Sequence, residues 1–251
     1  MNRTLAAILA ALVALASQAA PRLFSPTLQV HAAASLSDAL TEIAALYERE
    51  TGTVIRFNFG GSSMLERQIV EGAPGDLFLS ADEAKMDLLA DEGLIVSSTR
   101  TPLLSNALVV IVPRDEPVGP AGTAVLLQAR RIAIAEPESV PAGIYARKYL
   151  ERAGLWEKLR GRMVPTDNVR GALAAVEAGN VDAAIVYRTD ALISKKVRVA
   201  AELTDRNAVP ISYPVAVLSH SAHMAEARRF LNYLRGAEAR AVFVKYGFVV
   251  R

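Results

Sequence analysis

Short apolar segments typical of β-strands alternate with segments of helical periodicity along most of this chain, and this alternation restricts its fold more than any other feature. A strand over Leu28–Ala33 precedes an apolar helical stripe from Leu36 to Tyr47, and a strand over Val54–Phe59 precedes a helix beginning at Met64. Parallel strands need a long crossover that is usually helical, so this order predicts parallel pairing. We therefore predict an α/β fold of mostly parallel sheets flanked by helices.

The same alternation continues towards the end of the chain. Further strands are predicted over residues 77–80, 108–112, 131–135, 183–187, 197–203 and 211–218. Further helices are predicted over residues 84–92, 144–153, 171–178, 225–234 and 237–246. In parallel sheets of this kind ligands bind beyond the carboxyl ends of the strands, where the helices begin.

Two extended segments, Leu103–Val110 and Ser212–Pro214, predict that the chain crosses twice between two lobes. We expect residues 20–106 and 214–251 to form lobe 1 and residues 107–213 to form lobe 2. Two crossings act as a hinge, because a few residues at element ends absorb the rotation of rigid lobes. One continuous sheet is the alternative.

The first 19 residues predict a secretory signal peptide. Asn2 and Arg3 precede an apolar run from Leu5 to Leu15, and small residues follow as far as Ala19. The apolar stretch is shorter than the ~20 residues of a membrane-spanning helix, which disfavours the alternative of an uncleaved anchor. The chain has no cysteine, which excludes disulfides and a lipidated cysteine. We expect a mature protein in a bacterial periplasm that is not a lipoprotein.

Charge excludes some classes of partner. The chain carries 28 basic and 26 acidic residues, a formal net charge of +2, and its basic residues form no long block. This balance favours neither nucleic acid nor an anionic membrane as a partner. A bound anion would have to be captured by local groups.

Four turns from a strand into a helix carry small or hydroxylic residues and little acid–base chemistry. These turns are Ala33–Ser35, Gly60–Ser63, Pro141–Gly143 and Asn168–Gly171. The first backbone N–H groups of a helix lack partners, and small side chains let a ligand approach them. The turns therefore favour anion binding over catalysis.

Single residues at these turns also have structural interpretations. Considered alone, Ser35 and Asp38 predict a capping pair at a helix start, and Gly60–Ser63 is compatible with a plain turn. Tyr187 at a strand end is compatible with a half-buried packing residue. Arg170 is expected to project outward or to pair with an acid rather than to bind an anion.

Six motifs stand in a characteristic order and spacing, and the similarity extends to Tyr246–Phe248. They are Ala32–Leu36, Ser62–Ser63, Gly72–Asp82, Val140–Ala146, Val169–Leu173 and Ile185–Tyr187. Together they resemble the periplasmic molybdate-binding proteins of ABC importers. The resemblance implies the two-lobed fold of type II periplasmic binding proteins.

The resemblance also implies a site and its ligand, molybdate or tungstate, held by uncharged groups in a cleft between the lobes. Ser35 and Ser62 would supply hydroxyl and backbone donors, Ala142 and Val169 backbone N–H groups, and Tyr187 its phenolic hydroxyl. The metal would be bound only as its oxyanion, with no direct metal ligand, no catalytic residue and no cofactor. The implied partner is an inner-membrane ABC permease, and a monomer is expected.

Two positions depart from the family pattern. Gly60–Gly61 stands where relatives often have Ala-Ser, and Asp38 stands where some have Asn. A carboxylate pointing into the site would repel an anion, so we expect Asp38 to face the helix end instead.

Hydrogen-bond chemistry explains the implied selectivity. Molybdate and tungstate are deprotonated dianions that only accept hydrogen bonds, whereas hydrogen phosphate keeps a proton that costs ~1 to 3 kcal/mol if unpaired. Sulfate also only accepts but is smaller, so another oxyanion such as sulfate is the alternative ligand. A sensor domain of the same fold and an α/β enzyme are further alternatives, although the Gly-x-Ser-x-Gly motif is absent.

Overall fold

A computed structural model describes residues 26–116 and 122–251, so the predicted signal peptide lies outside the described residues. The described chain forms two β-sheets. The first has the strand order β11-β4-β10-β3-β1-β2, and the second has the order β7-β6-β8-β5-β9.

The strands have the following bounds. They are β1 Thr27–Ala33, β2 Val54–Gly60, β3 Leu77–Leu79, β4 Thr101–Ser105, β5 Leu108–Pro113, β6 Ile132–Ala135, β7 Met163–Thr166, β8 Ala183–Tyr187, β9 Val197–Glu202, β10 Tyr213–Val217 and β11 Val249–Val250.

The α-helices, numbered in chain order, flank these sheets. They are α1 Ser37–Thr51, α2 Ser62–Val70, α3 Glu83–Asp91, α4 Ala124–Gln128, α5 Pro141–Arg152, α6 Trp156–Leu159, α7 Val169–Glu177, α8 Arg188–Ile193, α9 Met224–Leu234 and α10 Ala237–Lys245. Short 3-10 helices occupy Ala34–Leu36, Ser97–Thr99 and Arg160–Arg162. Among the described helices, none combines the length and apolar character needed to cross a bilayer.

The α/β class is confirmed, but the prediction of mostly parallel sheets is wrong, because both sheets are mixed. In the first sheet β1 pairs in parallel with β2 and β3, while β10 pairs antiparallel with β3 and β4. In the second sheet β6 pairs in parallel with β7 and β8, while β5 pairs antiparallel with β8 and β9. β5 and β10 are the strands by which the chain enters each sheet from the other. Parallel neighbours are usually joined through a crossover helix, and no helix directly precedes β5 or β10. Both strands pair antiparallel with their neighbours.

The two passages between the sheets define a first lobe around the six-stranded sheet and a second lobe around the five-stranded sheet. The first passage is Asn106–Ala107, because β4 and β5 on either side of it are already paired in different sheets. The predicted crossing at Leu103–Val110 is therefore too long. The second passage covers residues 203–212, and Tyr213 and Pro214 already belong to β10. The lobe limits at residues 106 and 213 state which residues should move together as rigid lobes, and they remain a prediction.

Three helices begin two or three residues earlier than apolar periodicity predicts. α2 begins at Ser62, α5 at Pro141 and α7 at Val169. α2 and α5 open with small, hydroxylic or proline residues that carry little apolar signal, whereas the buried stripe of α7 already begins at Val169. The early start places the predicted anion-binding turns within the first turn of each helix, where backbone N–H groups are free.

Candidate anion-binding site

Strand-to-helix junctions from both lobes meet where the lobes face each other. A Cβ atom built on Gly61, which precedes α2, would lie 2.9 Å from the carbonyl oxygen of Asp167 and 3.5 Å from Cγ2 of Val140. Arg170 Nη2 lies 3.4 Å from the carbonyl oxygen of Ser35. The junctions after β1 and β2 in the first lobe therefore contact those after β6 and β7 in the second. Gly61 is also explained, because any side chain there would press on the opposite lobe.

Tyr187 reaches the same region through Tyr213. The hydroxyls of Ser35 and Tyr213 lie 3.1 Å apart, and the ring centroids of Tyr187 and Tyr213 are 5.8 Å apart. Tyr213 begins β10 in the first lobe, whereas Tyr187 ends β8 in the second. Ser35 and Tyr187 are thus joined across the lobes by one intervening aromatic ring.

Backbone donors remain available at the start of α2 and α5. In α2, the N–H groups of Met64 and Leu65 bond to the carbonyl of Gly61, so those of Ser62 and Ser63 lack a partner within the helix. In α5, the N–H of Ile144 bonds to the carbonyl of Val140, which leaves the N–H of Ala142 without an intrahelical partner.

The start of α7 is arranged in the same way by its cap. The side-chain oxygen of Asn168 accepts hydrogen bonds from the N–H groups of Arg170, at 2.9 Å, and Gly171, at 3.2 Å. The N–H of Val169, the first residue of the helix, is not used by this cap. The N–H groups of Val169 and Ala142 therefore have no partner within their own helices, and their role towards a ligand stays a prediction.

The two predicted serines are buried and make defined contacts. Ser62 Oγ accepts a hydrogen bond of 3.0 Å from the N–H of Ala81, so its own proton is free for another acceptor. The capping interpretation of Ser35 is wrong. Ser35 lies inside the 3-10 helix Ala34–Leu36, and its hydroxyl contacts Tyr213 instead of a backbone N–H of the following helix.

The Tyr187 hydroxyl is a buried polar group without a partner in the described structure. The residue is 1% exposed, and burial raises the pKa of its phenol, so the group keeps its proton and acts as a donor. An unpaired buried donor is costly, typically ~1 to 3 kcal/mol. The Tyr187 ring packs against Tyr213, whose hydroxyl lies 3.1 Å from that of Ser35.

Arg170 pairs with two acids, which agrees with the expectation from sequence. It contacts Asp38 of the first lobe at 2.6 Å and Asp190 of the second lobe at 2.7 Å. Asp38 is thereby held by a cation rather than aimed at a ligand, and Arg170 offers no uncompensated positive charge. In the described residues, no set of three His, Asp or Glu side chains could hold a metal ion directly.

Asp190 is fully buried and supports Tyr187. Its Oδ2 accepts a hydrogen bond of 3.3 Å from the N–H of Tyr187, and its other oxygen faces Arg170. Burial raises the pKa of Asp190 from 3.8 to about 6, against the opposing effect of the Arg170 charge.

This raised pKa predicts a pH-dependent stability. Between pH ~4 and ~6 the folded chain holds the Asp190 proton and the unfolded chain does not. The contribution of this proton to the unfolding free energy is therefore complete below pH ~4 and is lost as the pH rises to ~6. Urea unfolding of Asp190→Asn from pH 4 to 7 should lack this loss. The unfolding free energy of the unsubstituted protein should fall relative to that of the variant, at ~1.4 kcal/mol per pKa unit.

The matched control is Asp91→Asn, at an exposed residue near the end of α3. Its unfolding free energy should follow the unsubstituted protein across the same pH range. Parallel curves for Asp190→Asn and the unsubstituted protein would contradict the assignment of the raised pKa to Asp190.

Sequence reasoning missed Tyr213, Asn106 and Asp190. Asp190 left a recognisable signal, because an acid three residues after a strand end is typical of a helix start. Tyr213 and Asn106 left none, since both lie in or next to the passages between sheets and act only through distant partners. The ligand-binding roles of Ser35, Ser62, Ala142, Val169 and Tyr187 remain predictions.

The chain is similar to known solute-binding proteins. Residues 28–249 match the family model described as bacterial extracellular solute-binding protein. YvgL of Bacillus subtilis, described as an ABC transporter substrate-binding lipoprotein, is 43% identical over 225 residues, which cover 88% of this chain and 86% of YvgL. The molybdate-binding protein ModA of Escherichia coli is 40% identical over 228 residues, 88% of each chain.

A solved structure shows the same fold. The periplasmic molybdate-binding protein of Azotobacter vinelandii superposes with a TM-score of 0.82 at 25% identity, over 89% of this chain and 99% of that chain. The predicted two-lobed fold and the family resemblance drawn from the motifs are both confirmed.

Proposed function

Because this chain belongs to the bacterial extracellular solute-binding proteins, a family of binding proteins rather than enzymes, we propose that it captures molybdate for an ABC permease. Tungstate, which has the same charge and nearly the same size, is included in the proposal. The site is the cleft between the lobes, with Ser35, Ser62, Ala142, Val169 and Tyr187 as donors. The protein acts as a monomer in the periplasm after removal of residues 1–19.

The observation that carries this proposal is the buried hydroxyl of Tyr187, which has no partner among the described residues and belongs to a ring that packs against Tyr213, the neighbour of Ser35. Together with the free proton of Ser62 and the helix-start N–H groups, it makes a set of hydrogen-bond donors. A dianion whose oxygens all accept hydrogen bonds satisfies such a set. Hydrogen phosphate does not, because its own proton would be left unpaired.

Neutral donors suffice for useful affinity. Hydrogen bonds to a charged group contribute ~1.5 to 3 kcal/mol each, so about seven supply a gross ~10 to 20 kcal/mol. Association costs ~4 to 15 kcal/mol, and less when the donors are preorganised. A net of about −8 to −11 kcal/mol corresponds to a Kd from roughly micromolar to ten nanomolar.

Capture and closure follow from donors on both lobes. Ser35 and Ser62 belong to the first lobe and Ala142, Val169 and Tyr187 to the second, so only a closed pair of lobes offers the anion all five. A ligand shifts such an equilibrium by its difference in affinity for the two states. The Arg170–Asp38 pair also spans the lobes and adds to the closed state. The closed surface is what the permease would recognise.

A thermal-shift panel with molybdate, tungstate, sulfate and phosphate tests this function. A ligand at about 1,000 times its Kd stabilises the folded state by ~4 kcal/mol, which raises the Tm of a chain of this size by roughly 10 °C. Molybdate and tungstate should produce this shift and phosphate should not. A shift with sulfate alone would replace the proposal by sulfate binding, and no shift with any of the four would overturn it.

A further inference from the structure

We propose that Tyr213, oriented by Asn106, holds the Ser35 hydroxyl as a hydrogen-bond donor towards the ligand and so excludes protonated oxyanions. Both are positioning residues that act through Ser35. This inference rests on the function proposed above and extends it to the origin of selectivity.

The amide of Asn106 has a defined orientation. Its Oδ1 lies 2.9 Å from the backbone nitrogen of Ala107, which can only donate, so this atom is the oxygen. The amide nitrogen, which can only donate, then faces Thr189 Oγ1 at 3.0 Å and the Tyr213 hydroxyl at 3.3 Å. Tyr213 therefore accepts a hydrogen bond from Asn106.

The proton of Tyr213 must go elsewhere. Its hydroxyl lies 3.1 Å from Ser35 Oγ, and the ring is buried, 1% exposed, which raises the pKa of the phenol and keeps it protonated. Ser35 Oγ is the acceptor that the described structure places within reach of this proton. Ser35 thus accepts from Tyr213, and its own proton is turned towards another group.

Ser62, the second predicted serine, also accepts a hydrogen bond from within the protein, here from a backbone N–H group. Ser62 Oγ accepts from the backbone N–H of Ala81 at 3.0 Å, which also leaves its proton as a donor. One lone pair of each hydroxyl is therefore already occupied, which favours presenting the proton rather than a lone pair to a ligand. An anion that carries a P–OH group loses roughly 10- to 100-fold in affinity when that proton finds no acceptor.

These hydrogen bonds from Asn106 to Tyr213 and from Tyr213 to Ser35, called the relay below, also join the two passages between the lobes. Asn106 lies in the first passage, Tyr213 follows the second, and Thr189, the other acceptor of the Asn106 amide, lies in α8 of the second lobe. The orientation of the Ser35 proton is therefore determined by the hinge region. We place the origin of selectivity there and not only among the donors that touch the ligand.

The test is isothermal titration calorimetry of Tyr213→Phe with molybdate and with phosphate at pH 8. Without the phenol, Ser35 is free to rotate and accept, so molybdate should bind several-fold more weakly and phosphate more tightly. The ratio of the phosphate Kd to the molybdate Kd should fall at least 10-fold. A purely structural role would weaken both ligands equally and leave the ratio unchanged.

Two further variants make the result specific. In a Ser35→Ala background, adding Tyr213→Phe should not change the ratio further, because the relay then has no target. Tyr149→Phe is the matched control, since this buried tyrosine bonds Asp205 at 3.2 Å in the second lobe, and its ratio should equal that of the unsubstituted protein. If Tyr213→Phe does not fold, Asn106→Ala should lower the ratio in the same direction.

The outcomes separate this inference from the function on which it rests. Molybdate binding by the unsubstituted protein together with an unchanged ratio in Tyr213→Phe, or in Asn106→Ala if the first variant is unfolded, overturns the relay alone. Failure of the unsubstituted protein to bind molybdate overturns the proposed function and the relay with it.

Discussion

Tyr187→Phe is expected to weaken molybdate binding by about 10- to 100-fold and, in the same variant, to leave the protein without ligand at least as stable as the unsubstituted chain. The affinity loss corresponds to one hydrogen bond to a charged group, ~1.5 to 3 kcal/mol. The stability change has the opposite sign because the removed hydroxyl is buried and has no partner in the described structure.

The opposite signs distinguish a ligand-binding group from a packing group. A tyrosine that only packs would lose little in either measurement when its hydroxyl is removed, since the ring is kept. A tyrosine whose hydroxyl bonds within the protein would lose stability, as expected when one partner of a buried hydrogen bond is deleted. Only a hydroxyl held ready for a ligand gives weaker binding without lower stability.

Calorimetry with molybdate and urea unfolding without it measure the two quantities. Tyr233→Phe is a suitable control, because its hydroxyl bonds Glu238 at 2.7 Å in the region of α9 and α10, away from the junctions between the lobes. It should bind molybdate like the unsubstituted protein. An unchanged molybdate affinity in Tyr187→Phe would show that Tyr187 is a packing residue.

Gly143→Ala should weaken molybdate binding by about 100-fold or more and lower the unfolding free energy by at least ~1 to 3 kcal/mol. A Cβ atom at Gly143 would overlap the carbonyl oxygen of Ala135 and lie 2.5 Å from that of Glu136. Both are backbone atoms at the end of β6, so the contact cannot be relieved by turning a side chain. Overpacking of this kind typically costs ~1 to 3 kcal/mol and sometimes more.

The effect on affinity follows from the position of Gly143 next to Ala142. Relief of the overlap requires α5 to move away from β6, and the N–H of Ala142 in its first turn moves with it. A misplacement of about 1 Å in a preorganised site costs about 100-fold. Gly143 does not adopt a left-handed backbone conformation, so backbone freedom is not the reason for a glycine here. The reason is the close packing of α5 against β6, which leaves no room for a Cβ atom.

Gly161→Ala provides the matched control for the same chemical change. Nothing lies within 4 Å of a Cβ atom built on Gly161, which is exposed in the 3-10 helix Arg160–Arg162. Its molybdate affinity and unfolding free energy should stay close to those of the unsubstituted protein. Equal behaviour of the two alanine variants would contradict the packing argument for α5.

Much of the fold was predictable because its signals are local. The helical stripe of α1, the end of that helix at Gly52 and the strands β1 and β2 follow from side-chain period and from glycine at a left-handed position. The early starts of α2, α5 and α7 were not predictable from periodicity. The first turns of α2 and α5 carry small, hydroxylic or proline residues and that of α7 begins with Val169 and Arg170, so side-chain period alone does not mark where these helices start.

The candidate site divides in the same way. The free N–H groups of Ser62, Ala142 and Val169 follow from helix geometry, so the turns alone predicted a seat for an anion. The charge state of the site did not follow, because Arg170 and Asp38 are 132 residues apart and their pairing depends on how the lobes meet.

By itself, the sequence determined the alternation of strands and helices, the small residues at the helix starts and the order of motifs that marks the family, since backbone preference and period act within a few residues. Only the tertiary structure decided which hydroxyls donate. Ser35 and Tyr213 are 178 residues apart, and the direction of the hydrogen bond between them is imposed by Asn106 from another segment. A hydroxyl rotates freely until such a partner is brought against it.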